Sequence, residues 1–230
     1  MKAILLAAGF GTRLRPLTVS TPKCLVSING KPLLEIWLER LAEAGLGPLL
    51  INTHYLSSQV ERFILSSSLK KQIKLVYEPV LLGTAGTLLT NIDFFEGKDG
   101  MLIHADNYSL ADFKAFINAH EKRPAGCLMT MMTFKTDSPS ECGIVELNKE
   151  GIVVGFHEKV DCPPSNLANG AVYILSPQML NILMEDFLQV SDFSTEVLPH
   201  FIGKIFTYET KEVFMDIGTP EKFKMANNLL

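Results

Sequence analysis

The sequence predicts an α/β fold: a mostly parallel sheet with helices on both faces, followed by a smaller β-rich elaboration. Two patterns carry that expectation. Over the first half, short apolar runs alternate with amphipathic stretches, and strands and helices taken in turn imply parallel strands joined by crossover helices. In the second half, strand-like segments follow one another with no helix between them. The chain has 230 residues, 47% of them hydrophobic, enough to bury a substantial core. No repeat, low-complexity tract or long linker interrupts it, so one domain over residues 1–230 is expected, with halves at 1–122 and 123–230.

Each element follows from local pattern. Residues 3–7 form a short apolar strand, and residues 33–44 a helix in which Trp37, Leu38 and Leu41 recur at helical spacing. Pro32 stands where a first-turn proline belongs, and Gly45 where a C-terminal glycine ends the run. A strand at 48–52, an amphipathic helix at 57–65 and a strand at 73–77 continue the alternation. The next strand, 100–104, leads to Asp106, and Ser109 is placed to cap a helix reaching about His120. Residues 127–134 read as a buried strand, and the runs 144–147 and 152–156 flank a hairpin turn at 148–151. A strand at 171–175, helical segments at 177–184 and 193–200, and a C-terminal helix opened by Thr219 and Pro220 complete the chain.

A net charge of −4 argues against a general nucleic-acid binder, which needs surplus Lys and Arg to displace phosphate counterions. Charge is nonetheless uneven. Residues 1–34 carry five cations (Lys2, Arg13, Arg15, Lys23 and Lys31) and no carboxylate, which points to an anion site near the N-terminus. The stretch does not read as a targeting peptide, because the apolar run 3–8 is short and Arg13 and Arg15 follow inside the pattern. No apolar run approaches the ~18 residues needed to cross a bilayer, so a soluble protein with no membrane partner is expected. Four widely spaced cysteines (Cys24, Cys127, Cys142 and Cys162) make no C-x-x-C pair, and free thiols in a reducing cytoplasm fit them best.

The first strand runs into L-A-A-G-F-G-T-R-L-R-P-L-T, residues 6–18. Gly9 and Gly11 suit a backbone that must approach a polyphosphate closely, and exposed N–H groups of such a loop are oriented donors. Arg13 adds a planar fork matched to phosphate oxygens. The spacing is not a Walker loop, since no G-K-[ST] follows, and Leu14 stands where the dinucleotide fingerprint has its third small residue. By itself the loop reads equally as a phosphate cradle or as a tight turn after a strand.

Residues 6–34 taken together resemble the signature of the sugar-nucleotide pyrophosphorylases: L-x-x-G-x-G-T-R-L-x-P-L-T, then P-K, then G-K-P-x-L. Here the second part is T-P-K-C-L-V-S-I-N-G-K-P-L-L, residues 21–34. Further landmarks recur in order: Leu82-Gly83-Thr84-Ala85-Gly86, Asp106, Glu158-Lys159, Asn169-Gly170 and Asp216-Ile217-Gly218-Thr219-Pro220. The resemblance covers nearly the whole chain. It implies a Rossmann-like, GT-A-like nucleotidyltransferase fold in which 1–122 mainly binds the nucleotide and 123–230 mainly the sugar phosphate.

The implied reaction joins a sugar 1-phosphate to a nucleoside triphosphate by in-line attack on the α-phosphorus and releases pyrophosphate, with no covalent enzyme intermediate. Two strongly anionic reactants must meet, so neutralisation and positioning dominate. The resemblance gives Arg13 the β- and γ-phosphates and Lys23 the reacting α-phosphate. Mg2+ is the implied cofactor, held by Asp106 and Asp216, each placed after a short apolar run at a strand end where ligands of open sheets collect. As isolated acids, Asp106 would cap or turn ahead of the next helix and Asp216 would be a turn acid before Gly218. The family usually has G-D where this chain has Ala105-Asp106, and the added methyl bears on the metal or base pocket. His104 is taken as structural rather than as a metal ligand.

Nucleotide contacts are implied at Leu6, Ala8, Gly9, Gly11, Thr12 and Arg13, and at Glu78, Pro79, Gly83 and Thr84 of a base-recognition segment. Its G-T-A-G form is most like members that take GTP, such as mannose-1-phosphate guanylyltransferases. For the sugar, the resemblance places Gly143, Glu158 and Asn169 around the hydroxyls and Lys159 near the phosphate, chemistry that suits a polyol. Read without that pattern, Glu158-Lys159 is a solvated pair and Asn169-Gly170 a turn. Val160 departs from the proline that often follows E-K in the family. Cys24 is packing, since the displacement needs no thiol.

GTP with mannose 1-phosphate or a related sugar phosphate is the favoured pair. UTP- or TTP-dependent transfer, including transfer to N-acetylmuramate 1-phosphate, stands as the alternative, as does a non-catalytic nucleotide-sugar-binding regulator. A dinucleotide-dependent oxidoreductase starts from the same glycines but lacks the complete fingerprint. A chain ending at Leu230 leaves no expectation of the β-helix and acetyltransfer of longer relatives. Met- and Phe-rich segments offer a surface for a homodimer.

Overall fold

A computed structural model describes residues 1–229. The elements begin with β1 (Lys2–Leu6), α1 (Leu17–Ser20), the short pair β2 (Ser27–Ile28) and β3 (Lys31–Pro32), α2 (Leu33–Glu43), β4 (Leu49–Thr53), α3 (Ser57–Ser66) and β5 (Ile73–Tyr77). Next come α4 (Gly83–Thr90), β6 (Gly100–His104), β7 (Asn107–Ser109), α5 (Phe113–Glu121), β8 (Met129–Lys135), β9 (Gly143–Leu147) and β10 (Val153–Glu158). The chain then forms β11 (Leu167–Leu175), α6 (Pro177–Asp186), β12 (Ile205–Glu209), β13 (Phe214–Asp216) and α7 (Pro220–Asn227). These fall into two compact units that interleave along the chain rather than dividing at 122: residues 1–81, 103–111 and 212–229 make one, residues 82–102 and 112–211 the other.

The first unit carries the parallel strands β1, β4 and β5. β4 lies between β1 and β5, with Ala3 opposite Leu49 and Leu49 opposite Ile73. Every residue of β4 is buried, so Leu49, Leu50 and Ile51 follow one another without alternation before the buried polar residues Asn52 and Thr53. α2 buries Leu33, Leu34, Ile36, Trp37, Leu38 and Leu41 as its spacing predicts. Gly45 ends it at φ +72°: Leu46 N donates to Leu41 O and Gly45 N to Ala42 O, both at 2.9 Å, the pairing of a left-handed glycine cap. The antiparallel pair β7 and β13 sets Asp216 opposite Asn107.

The second unit holds the β-rich part. β11 pairs antiparallel with β8 and β9, β9 with β10, and β12 runs parallel to β8. At the hairpin turn, Asn148 Oδ1 accepts from Glu150 N and Ile152 N at 2.9 Å. Helix α5 is capped by Asp112, whose Oδ1 accepts from Ala115 N at 3.0 Å, and not by Ser109. Pairing with Phe214 keeps Ser109 in β7, and Asp112 becomes the last residue before the helix with an acceptor to offer. Residues 193–200 are helical as expected, in a π turn at Phe193–Val197 and a 3-10 turn at Leu198–Phe201. Among the described residues, no helix is long and apolar enough to cross a membrane.

Candidate active site

Four charged residues from distant parts of the chain meet in the first unit. Lys23 opens a 3-10 turn after Pro22, with its side chain 7% exposed. Its Nζ donates to Asp106 Oδ2 at 2.8 Å and lies 3.6 Å from Asp216 Oδ1. Arg13 Nη2 lies 3.7 Å from Asp216 Oδ2. The β7–β13 pairing is what brings the two carboxylates together: Asp106 directly precedes β7, and Asp216 closes β13 against Asn107. Desolvation opposes ionisation of Asp106, whose side chain keeps 45% exposure, but the Lys23 charge and hydrogen bond, with the nearby His104 and a backbone hydrogen bond, together outweigh it and hold the carboxyl below the usual range. A nearly buried ammonium held by two carboxylates is stable only as a set, because removing one partner strands the others.

The glycine loop meets this cluster at Gly11 and Arg13. Gly11 sits at φ +61°, and a Cβ there would stand 3.0 Å from Lys23 Cβ and from Thr18 Cγ2. Thr18 Oγ1 also donates to Gly11 O at 2.7 Å, so Gly11 is required by the packing of the loop on Lys23. Gly9 differs. Its φ is not left-handed and no atom lies within 4 Å of where its Cβ would be. Nothing inside the protein demands a glycine at that position, and the open space is of the kind a ligand backbone approach uses. Thr12 and Arg13 are exposed, whereas Ala8 is buried. Leu6 O accepts from Ala105 N at 3.1 Å, and Ala105 is fully buried.

The sequence alone assigned no site role to three residues here. Asn52, 3% exposed near the end of β4, accepts from Ala7 N at 2.8 Å and donates to Glu78 Oε1 at 2.9 Å, joining the loop to a carboxylate that is itself 2% exposed. A lone amide at the end of a run of buried apolar residues was the available signal. Thr18 fixes Gly11, and Gly218 N donates to Asp216 Oδ1 at 2.8 Å. A Cβ on Gly218 would stand 2.8 Å from Arg13 Nη2, so that glycine admits the guanidinium beside Asp216.

The remaining candidates lie in the first unit at Pro79, exposed after Glu78, and otherwise in the second unit. Gly83 and Thr84 open α4. Gly143 pairs with Glu158 across β9 and β10, and a Cβ on Gly143 would collide with the Glu158 carboxylate and the Phe156 ring. Glu158 Oε1 lies 3.1 Å from Lys159 Nζ, the charged pair that the local sequence alone suggests. Asn169 Nδ2 donates to Tyr173 Oη at 2.7 Å and Asn169 Oδ1 accepts from Ala171 N at 2.8 Å.

A family model described as nucleotidyl transferase matches residues 2–230. The chain belongs to the nucleotidyl transferase family. A mannose-1-phosphate guanylyltransferase catalytic subunit beta from Xenopus tropicalis is 32% identical over 230 residues, covering 97% of this chain and 62% of that protein. A mannose-1-phosphate guanylyltransferase from Mycobacterium tuberculosis is 31% identical over 226 residues, with 96% and 62% covered. The chain thus spans somewhat under two thirds of the length of these relatives. Among solved structures, HddC from Yersinia pseudotuberculosis complexed with GMP-PN superposes with a TM-score of 0.82 at 25% identity, covering 99% of this chain and 98% of that one. The nucleotidyl transferase resemblance read in residues 6–34 therefore holds along the chain, and the α/β fold with it.

Cys24 is buried, which opposes thiolate formation. Burial pushes its thiol up to about 12, with the nearby Asp106 charge acting in the same direction. It therefore stays protonated through pH 8.5, where an ordinary thiol with pKa ~8.5 is half ionised. Iodoacetamide applied to the native protein at that pH should label exposed Cys162 and leave Cys24 intact by peptide mass mapping. Stoichiometric modification of Cys24 would show that the thiol is accessible and activated.

Proposed function

We propose that the chain transfers a nucleoside monophosphate from a nucleoside triphosphate to a sugar 1-phosphate, releasing pyrophosphate, with GTP and mannose 1-phosphate or a related sugar phosphate as the preferred pair. The observation that carries this reading is Lys23 held 2.8 Å from Asp106 and 3.6 Å from Asp216, with Arg13 on the same Asp216 carboxylate. A reaction between two polyanions needs fixed positive charge where phosphates meet, and Lys23 and Arg13 supply it. Arg13, exposed on the loop, binds the β- and γ-phosphates. Lys23, preorganised by two acids, stabilises charge developing at the α-phosphate. Backbone N–H groups around Gly9 hold the triphosphate, Gly83 and Thr84 with Glu78 and Pro79 meet the base, and Glu158, Asn169 and Gly143 orient the sugar with Lys159 near its phosphate.

Asp106 and Asp216 would also hold Mg2+. Among the described residues no set of three or more His, Cys, Asp or Glu gathers at one place, so an all-protein cage is absent there. Two hard carboxylates completed by phosphate oxygens and water are nevertheless the shell that Mg2+ favours, and the donors fit it. Bound there, the ion would neutralise phosphate charge. Guanine and mannose are favoured by the G-T-A-G segment, by the named activities of the relatives and by the GMP-PN complex of HddC. The deciding experiment is pyrophosphate release across four triphosphates and several sugar 1-phosphates with Mg2+. GTP with mannose 1-phosphate is expected to lead. A wide margin for another base rejects the guanine assignment, and no release from any pair rejects the activity.

A further inference from the structure

In the second unit, one continuous path of contacts joins the segment assigned to the nucleobase to a side chain assigned to the sugar. Residues 191–193 lie against the start of α4. Ala85 N donates to Ser191 O at 2.9 Å, and Phe193 N donates to Thr84 Oγ1 at 2.7 Å. Gly83, at φ +79°, permits this approach, because a Cβ there would run into the Ser191 carbonyl. The segment is stiffened from within: the Glu196 carboxylate accepts from Ser191 N, Ser191 Oγ and Asp192 N at 2.8, 3.0 and 2.6 Å. From Phe193 the path continues through packed rings. Phe193 and Tyr173 are fully buried with centroids 4.8 Å apart, and Tyr173 Oη accepts from Asn169 Nδ2 at 2.7 Å. Asn169 pairs with Thr133 and is the last residue before the β11–β8 register shifts ahead of Tyr173, and its side-chain amide is held by the bonds to Tyr173 and from Ala171.

We infer that residues 191–193 form a strap coupling the two substrate subsites, with Thr84, Phe193 and Tyr173 as positioning residues. The inference rests on the proposed function for the assignment of Thr84 and Asn169 to nucleotide and sugar. The bond from Phe193 N commits a lone pair of Thr84 Oγ1 and so fixes where its hydroxyl proton can point. The bonds to Tyr173 and from Ala171 likewise fix the second N–H of Asn169. A ligand that shifts α4 moves Phe193, the rings transmit the shift because packed interiors do not deform freely, and Asn169 reorients. Coupling of this kind is reciprocal between two bound ligands.

The test is kinetic. KM for GTP and for mannose 1-phosphate, or for whichever pair the substrate matrix selects, is measured for the unaltered protein, Thr84→Val, Tyr173→Phe and the double variant. Thr84→Val removes the acceptor of Phe193 N, yet it is expected to raise the KM of the sugar phosphate at least about fivefold. Tyr173→Phe acts on the sugar side and is expected to raise the KM of the triphosphate by a similar factor. The double variant should fall short of the product of the single effects. Effects confined to the near substrate, or multiplying in the double variant, overturn the strap. Should Tyr173→Phe lose its cooperative thermal transition, Phe193→Leu replaces it with the same crossed effect required. An unaltered protein that turns over no pair rejects the proposed function and takes the strap with it, whereas normal turnover without crossed effects rejects the strap alone.

Discussion

Replacing Lys23 with methionine is expected to lower the rate constant for pyrophosphate release by about a thousandfold, the scale associated with deleting one preorganised charge from a reaction centre. Methionine keeps most of the stem volume, so the packing around a side chain that is 7% exposed is largely retained. What disappears is the charge standing 2.8 Å from Asp106 and 3.6 Å from Asp216. Asp106 then loses the main influence that holds its carboxyl low, and two acids face the incoming phosphates with Arg13 as the remaining cation among the four. The KM of the triphosphate should change less than the rate constant, because Arg13 and the loop still grip the distal phosphates. Stopped-flow pyrophosphate release with a thermal melt as control separates the outcomes. A loss below about tenfold in a well-folded variant would make Lys23 a structural partner of the acids and remove the observation on which the proposed function stands.

How much of this was legible in the sequence depends on the range of the physics involved. The loop, Arg13, Lys23 and the helix 33–44 are written in contiguous strings, where glycine conformation, helical spacing and capping act over a few residues. Asp106 and Asp216 were legible as individual acids at strand ends, but their meeting depends on β7 pairing with β13, which no local pattern announces. The same pairing hides the α5 cap: Ser109 is a good capping residue by type, and only its use in the strand passes that role to Asp112. Interleaved units were hidden for a similar reason, since the segment 212–229 joins the N-terminal unit through β13 and α7 while the 112–211 stretch packs on itself. Asn52 and the 191–193 strap act through long-range hydrogen bonds from residues whose types are common in loops and strands. Glu158 and Lys159 sit between the two cases, because their adjacency is written in the sequence while the Gly143 opposite them is placed by the β9–β10 register.

Gly9→Ala and Gly11→Ala are expected to fail in opposite ways, and the contrast tests whether the loop holds phosphate. At Gly11 an alanine must adopt a left-handed conformation at φ +61°, costing about 1–2 kcal/mol, with its Cβ 3.0 Å from Lys23 Cβ and Thr18 Cγ2. Crowding of that kind adds roughly 1 kcal/mol or more. A total near 2–3 kcal/mol corresponds to a melting temperature lower by roughly 5–10 °C for a chain of this size. The damage also reaches catalysis, because the residue pushed aside is Lys23. Gly9 has no such constraint: its φ is not left-handed and no atom lies within 4 Å of the added methyl. Gly9→Ala should therefore melt within about 1 °C of the unaltered protein, as surface changes free of strain usually do. If a triphosphate lies against that backbone, the methyl occupies its path, and the KM for the triphosphate should rise about tenfold or more, equivalent to about 1.4 kcal/mol of binding. An unchanged KM in Gly9→Ala would mean that the loop is a turn and that the phosphates lie elsewhere. A raised KM with an unchanged melt would leave ligand contact as the reason for glycine there, since the folded protein itself supplies no other.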